Sequence, residues 1–296
     1  LKHILNDCLR FPQLPMLFNL DNTPSETDDI NFNSVNDVPV VVDKTTFRIK
    51  SWLGKNYAIC IGTMLNDNDN DNELCLFYPR NVLINTLKRL NEKHKVKFFA
   101  ASELEFFLFN KTNPEITKNY PEFDILKNRI SARDSDYAIG TIMTRNENIL
   151  KQIRDNIRDC GIELEQLFSE HAPGQYEINI RYDEALKNCD NHIYLKQCIK
   201  HTAYMNGYGC SFMAKIFPDK DGSSCHVHLS VNNDDGTNFF ATSSNEEDNH
   251  VIELKERHKT IRCHKNMLYF IGGILKYFKD LFLVYAPTVN SYKRFK

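Results

Sequence analysis

The sequence predicts an α+β protein, a small β-rich N-terminal part followed by a larger part in which strands and helices mix. Short apolar runs crowd residues 38–62 before any helical periodicity appears, and a proline-led helical pattern opens at Pro79. Later, three apolar strands carry polar side chains at alternate positions. These are Ser102-Glu103-Leu104-Glu105-Phe106, Gly174-Gln175-Tyr176-Glu177-Ile178 and Cys225-His226-Val227-His228-Leu229-Ser230. Alternate side chains of a strand share a face, so Glu103 and Glu105 point one way, as do His226, His228 and Ser230. Leu104, Val227 and Leu229 are expected to turn into packing.

In chain order, Val38 to Val42 forms a short strand, demoted to an edge by Pro39. Thr46–Ile49 and Tyr57–Gly62 are further strands, and the Asn/Asp alternation of 66–72 is a solvated hairpin tip rather than a calcium loop, lacking that loop's Gly and terminal Glu. Leu74–Tyr78 is the returning strand. The helix Asn81–His94 repeats Val82, Leu83, Leu87 and Leu90 at helical spacing, which sets a domain boundary between residues 1–78 and 79–296. A helix over 147–159 carries Ile149, Leu150, Ile153 and Ile157 and ends at Gly161. Another spans 194–206, Phe212-Met213-Ala214-Lys215 begins a strand, Asp234-Asp235-Gly236 turns the chain towards Phe239-Phe240, 243–250 is a surface loop, and 267–282 is an apolar helix.

Composition bounds the chemistry. The 296 residues are 42% hydrophobic with a net charge of −2 and no concentrated basic surface, which argues against a nucleic-acid partner. The nine cysteines are odd in number and contain no Cys-x-x-Cys, so they read as buried hydrophobes of a reducing compartment. No apolar run reaches membrane-spanning length and no signal peptide is evident, so a cytoplasmic protein without a membrane partner is expected. The first residue is not Met, from which an N-terminal fragment is expected.

Paired carboxylates in apolar strands are strongly disfavoured without a cation. Glu103, Glu105, Glu170 and Glu177 with one or two imidazoles make an oxygen-rich set that suits Mg²⁺ or Mn²⁺ better than Zn²⁺, and such paired ions commonly hold phosphates. Gly222-Ser223-Ser224 is either an anion cradle or a plain tight turn. Lys215 could neutralise phosphate or snorkel at an edge, and Arg294 could fork onto a carboxylate or remain a surface cation.

Taken in order, Glu103-Leu104-Glu105-Phe106-Phe107-Leu108-Phe109, Glu170 before Gly174-Gln175-Tyr176-Glu177, Phe212-Met213-Ala214-Lys215, Gly222-Ser223-Ser224-Cys225-His226-Val227-His228 and Ala286-Pro287-Thr288-Val289-Asn290-Ser291-Tyr292-Lys293-Arg294 resemble the landmarks of the glutamine synthetase family. The resemblance runs from about Asp43 to the end. It implies a β-grasp-like N-terminal domain and a catalytic domain with a curved antiparallel sheet and flanking helices. The implied reaction is ATP-dependent ligation of glutamate with ammonia through γ-glutamyl phosphate, in a ring-shaped homo-oligomer. Two Mg²⁺ or Mn²⁺ ions per site are implied, one on Glu105, Glu170 and Glu177 and the other on Glu103 and His226. Gly222 would line the glutamate site, Arg294 would clamp its carboxylate as the candidate catalytic residue, and His228 and Ser230, with Lys215, would serve ATP.

The Gly-Ser-Ser-Cys-His spelling is similar to the branch holding glutamate-polyamine ligases and the non-catalytic lens protein lengsin, the alternatives to ammonia ligation. His171 stands where the family usually has a small or aliphatic residue. No Asp-Gly-Ser-Ser loop precedes Glu103, and the family's flap glutamate, further arginines and third carboxylate for the Glu103 metal are expected past Lys296.

Overall fold

Long strands lie at the centre of both folded units of this chain. The structure, a computed structural model, describes residues 9–12, 37–65, 74, 78–118, 127–130, 137–254 and 259–295. Two compact units divide it, 1–93 and 94–296. The hairpin tip at 66–72 and most of the strand expected at 74–78 lie outside the described residues, though Leu74 bridges to Leu65.

In the first unit β1 (Leu9–Pro12), β2 (Asp37–Ile49) and β3 (Ala58–Met64) form an antiparallel sheet in that order. Val38 and Val40 are buried. The edge assignment for this run is corrected, because β1 covers one side of β2 and β3 the other. Pro39 is tolerated in this central strand, and its carbonyl accepts from Leu65 N–H at 2.8 Å. The helix Pro79–His94 is bound to this sheet at its start: Arg80 reaches Thr63 Oγ1 (3.0 Å) and Asp43 (2.7 Å), and Asn81 donates to the Met64 carbonyl (2.6 Å).

In the second unit β4 (Val96–Phe109) is the axis of a six-stranded sheet. β5 (Leu164–Ser169), β6 (Gln175–Ile180) and β7 (Asp183–Glu184) join it, and β8 (Gly209–Ser211) and β9 (Cys225–Asn233) also pair with β4, all antiparallel. Leu104, Phe106, Leu108, Tyr176 and Ile178 occupy one face and are buried. The helices Glu147–Asp159 and Ala185–Met205 bring Ile149, Leu150, Ile153, Ile157, Tyr194, Leu195, Cys198 and Ile199 to this core. Asn146 donates to the buried Tyr176 hydroxyl at 2.7 Å.

Several expectations shift. The helix expected from residue 194 begins at Ala185, because Asn188, Asp190 and Asn191 are buried polar residues that break the apolar rhythm. The strand expected at 212–215 ends at Ser211. Asp234-Asp235-Gly236 does turn the chain, with Gly236 at φ +85°, but Phe239 and Phe240 follow in a turn. The loop of 243–250 gives way to an unforeseen hairpin, β10 (Asn249–Leu254) and β11 (Lys259–His264). The apolar helix spans Lys265–Tyr277, breaks, and resumes over Phe282–Tyr285 without a buried residue in either piece. Val227 and Leu229 leave the site face as expected but are 60% and 46% exposed. Of the seven described cysteines, all free, Cys189 and Cys225 are exposed and so depart from the buried reading. No described helix is long and apolar enough to cross a membrane.

Candidate active site

The register of β4 assembles the site. Glu105 lies directly opposite Glu177 on β6, and Glu103 lies opposite Asn179 on β6 and His226 on β9. Ala101 faces His228, and Phe99 faces Ser230. Directly opposed residues share a face, so all these groups project from the side of the sheet away from the helix-packed core. Glu105 and Glu177 are 8% and 7% exposed, and two facing carboxylates so deeply placed need compensation.

Part of that compensation comes from hydrogen bonds. Gln175 Nε2 donates to Glu105 Oε2 (3.0 Å), the Gly222 carbonyl (3.2 Å) and Ser223 Oγ (3.1 Å). Ser224 donates its backbone N–H to Glu105 Oε2 at 3.1 Å and its hydroxyl to Oε1. The Gly-Ser-Ser turn is therefore a cradle for a carboxylate of this protein, since Ser223 N–H is also taken, by the Ala214 carbonyl at 2.9 Å. Glu103 is held between two rings, with His226 Nδ1 at 2.9 Å and His228 Nε2 at 2.8 Å. Burial works to raise the Glu103 carboxyl, but the bonds to His226 and His228 prevail and hold it below the usual range.

Glu177 behaves oppositely. Burial pushes its carboxyl up, a hydrogen bond with Asn179 partly offsets this, and the charges of Glu103, Glu170 and Glu105 push it further. Glu103, Glu105 and Glu170 thus act on Glu177 electrostatically, and Glu170 Oε2 accepts from the N–H of the next residue, His171, at 3.0 Å.

Gly222 and Arg294 are also brought together. A Cβ at Gly222 would stand 2.2 Å from the Ala214 carbonyl and 3.2 Å from Arg294 Cδ and Nε, so only glycine permits this approach. Asn290 secures it by accepting from Lys215 N–H and donating to the Lys215 carbonyl, both at 2.8 Å. The Lys215 ammonium donates to the Lys220 carbonyl, which ties it into the turn ahead of Gly222. Phe99, Glu163, Arg181, Tyr182, Asp183 and Lys187 line a cleft of about 320 Å³, in which Arg181 pairs with Glu163 (2.8 Å) and Lys187 with Asp183 (2.6 Å). Phe99 and Tyr182 meet edge to face there, with centroids 6.3 Å apart.

The donor set fits a divalent cation in type. Hard oxygens dominate it, the Glu105–Glu177 pair is buried, and Asn179 leaves a buried Oδ1 without a hydrogen-bond partner between Glu103 and Glu177. As the side chains stand, no three His, Cys, Asp or Glu close on one point among the described residues, Glu103 being turned to its imidazoles and Glu105 to the serine turn. Sequence reading missed Gln175, Asn179 and Asn290 as site residues. The quoted motifs contained Gln175 and Asn290, but their roles depend on partners 70 and 75 residues away.

Residues 77–296 match the family model described as glutamine synthetase, catalytic domain. A glutamate–isopropylamine ligase from a Pseudomonas species is 30% identical over 285 residues, covering 94% of this chain and 57% of the relative. A gamma-glutamylethanolamide synthetase of Streptomyces coelicolor is 32% identical, covering 88% and 50%, and a glutamine synthetase of Pyrococcus horikoshii is 35% identical, covering 73% and 42%. The chain thus spans about half the length of these curated relatives. Among solved structures, apo GmaS aligns over all of this chain and 60% of its own with a TM-score of 0.78 at 22% identity. Plasmodium falciparum glutamine synthetase aligns over 99% and 55%, with a TM-score of 0.73 at 23% identity, so both support the α+β fold. The chain belongs to the glutamine synthetase family.

Proposed function

We propose that this protein is a subunit of an ATP-dependent glutamate–amine ligase acting through γ-glutamyl phosphate. The observation that carries this reading is the buried, opposed Glu105–Glu177 pair, flanked by Glu103, Glu170 and His226 on one side and by the Gly222–Arg294 contact on the other. The Arg294 fork would hold a glutamate carboxylate above the bare backbone of Gly222. Glu105, Glu170 and Glu177 would hold one Mg²⁺ or Mn²⁺ and Glu103 with His226 the second. Bound there, the two ions would spread the charge of the transferred phosphoryl group. His228 and Ser230, on the same face of β9 as His226, would serve the nucleotide. Lys215, bound to the Lys220 carbonyl, shapes the glutamate side in this reading rather than ATP.

In the second step an amine nitrogen bonds to the acyl carbon while the carbon–oxygen bond to phosphate breaks. Ammonia is the acceptor the resemblance implies. The relatives named for isopropylamine and ethanolamide support an organic amine as the second reading. A ring-shaped homo-oligomer in the cytoplasm completes the proposal. The test is ADP release dependent on glutamate and Mg²⁺, with hydroxylamine added to trap γ-glutamyl phosphate as the hydroxamate. Hydroxamate formation is expected. ATP binding without ADP release for ammonia, isopropylamine or hydroxylamine would leave a non-catalytic, lengsin-like protein on the same scaffold.

A further inference from the structure

Arg294 reaches the Gly222 turn from a segment that packing does little to hold. The short helix Val289–Tyr292 and the turn Lys293–Phe295 after it contain no buried residue, and Val289 and Phe295 are 80% and 66% exposed. An amide fastens this segment to the rest of its unit. Asn290 Oδ1 accepts from Lys215 N–H and Asn290 Nδ2 donates to the Lys215 carbonyl, so one side chain pairs with a backbone as a neighbouring antiparallel strand would. The preceding carbonyl, that of Ala214, accepts from Ser223 N–H and lies against Gly222, which in turn lies against the Arg294 stem. Thr288 Oγ1 accepts from Ser291 N–H at 3.2 Å and fixes the start of the helical turn that joins Asn290 to Arg294. The contacts close a ring from Asn290 through Lys215, Ala214 and Gly222 to Arg294, and back along the chain.

Only an amide of this length serves both backbone groups. Aspartate could accept from Lys215 N–H but would turn a charge onto the Lys215 carbonyl, and alanine would leave both groups without their partner. Glutamine would set the helix a methylene further out. The guanidinium is sensitive to such shifts, because a planar fork must meet both oxygens of a carboxylate at once. Resting on the ligase reading above, we propose that Asn290 is a positioning residue of the glutamate site: its clamp on Lys215 sets Arg294 over Gly222 and thereby the affinity for glutamate, without itself touching the substrate.

The test is calorimetric titration of the Mg²⁺-loaded protein with glutamate in a double-mutant cycle of wild type, Asn290→Ala, Arg294→Lys and the double variant. Mn²⁺ affinity and amide hydrogen exchange at Lys215 are measured alongside. Asn290→Ala is expected to bind glutamate about tenfold more weakly, the worth of a charge-assisted hydrogen bond, with faster exchange at Lys215 and Mn²⁺ affinity within about twofold of wild type. In the Arg294→Lys background the same change should cost less than about twofold, because a flexible ammonium needs no such alignment. In turnover, Asn290→Ala should raise KM for glutamate while KM for ATP stays within about twofold. An equal loss in both backgrounds would mark a merely structural role and overturn the proposal, as would wild-type glutamate affinity in Asn290→Ala. If Asn290→Ala does not fold, Asn290→Asp, which keeps the bond from Lys215 N–H, takes its place with the same non-additivity expected. Non-additive glutamate binding without turnover would sink the ligase reading and leave this inference standing, whereas turnover with additive losses would do the reverse.

Discussion

At the scale of single residues the site is a set of carboxylates held apart by specific donors. Gln175 joins Glu105 to the Gly222 turn through its amide nitrogen and accepts from Ala172 N–H through its oxygen, so Gln175→Leu would remove four side-chain hydrogen bonds. The expected cost is about 1–3 kcal/mol in urea unfolding, with weaker Mn²⁺ binding because Glu105 is no longer oriented. Gly222→Ala would drive a Cβ to 2.2 Å from the Ala214 carbonyl and against the Arg294 stem. Glutamate binding by calorimetry should fall at least tenfold while the melting temperature drops only a few degrees, and unchanged glutamate affinity would remove Gly222 from the substrate site. The carboxylate pairs were legible in the sequence because a strand's period of two is visible within five residues. The donors to them were not, because Gln175 and Ser224 find Glu105 across 70 and 119 residues of chain.

At the scale of elements, β4 organises the second unit and the two long helices behind it supply the core. The helix Glu147–Asp159 was legible to the residue, since Ile149, Leu150, Ile153 and Ile157 mark one face. Its Ile153, 0% exposed, should lose about 2–5 kcal/mol on change to Ala, against less than about 1 kcal/mol for the half-exposed Ile193. The helix Ala185–Met205 was legible only in its second half, where apolar residues recur, and not where Asn188, Asp190 and Asn191 are buried. This helix also carries His192, whose Nδ1 lies 3.1 Å from Ser102 Oγ, on the strand that bears Glu103.

Burial, helped by the charge of Lys196, lowers His192 from 6.5 to about 4. The unfolded chain therefore binds a proton that the folded one refuses. The stability this confers is complete above about pH 6.5 and is lost as pH falls from there towards 4, by roughly 3 kcal/mol at the full shift. Unfolding free energies at pH 7.5 and 4.5 should differ less in His192→Leu than in wild type by about that amount. An equal pH dependence in the two proteins would show that His192 is not kept neutral by the fold.

At the scale of the whole chain, a small antiparallel sheet with its helix occupies 1–93 and the catalytic-domain fold occupies most of 94–296. The α+β class was legible from the order of strand and helix patterns. The hairpin β10–β11 was not, because polar residues such as His250, Lys259 and Arg262 conceal its alternation. The central claim is that the Glu105–Glu177 face holds divalent cations for phosphoryl transfer. Electron paramagnetic resonance of Mn²⁺ bound to wild type, Glu105→Gln, Glu177→Gln and the surface control Glu92→Gln tests it most directly. The expected result is Mn²⁺ affinity at least tenfold lower in Glu105→Gln and Glu177→Gln, with Glu92→Gln equal to wild type. Equal Mn²⁺ affinity in all four proteins would contradict it.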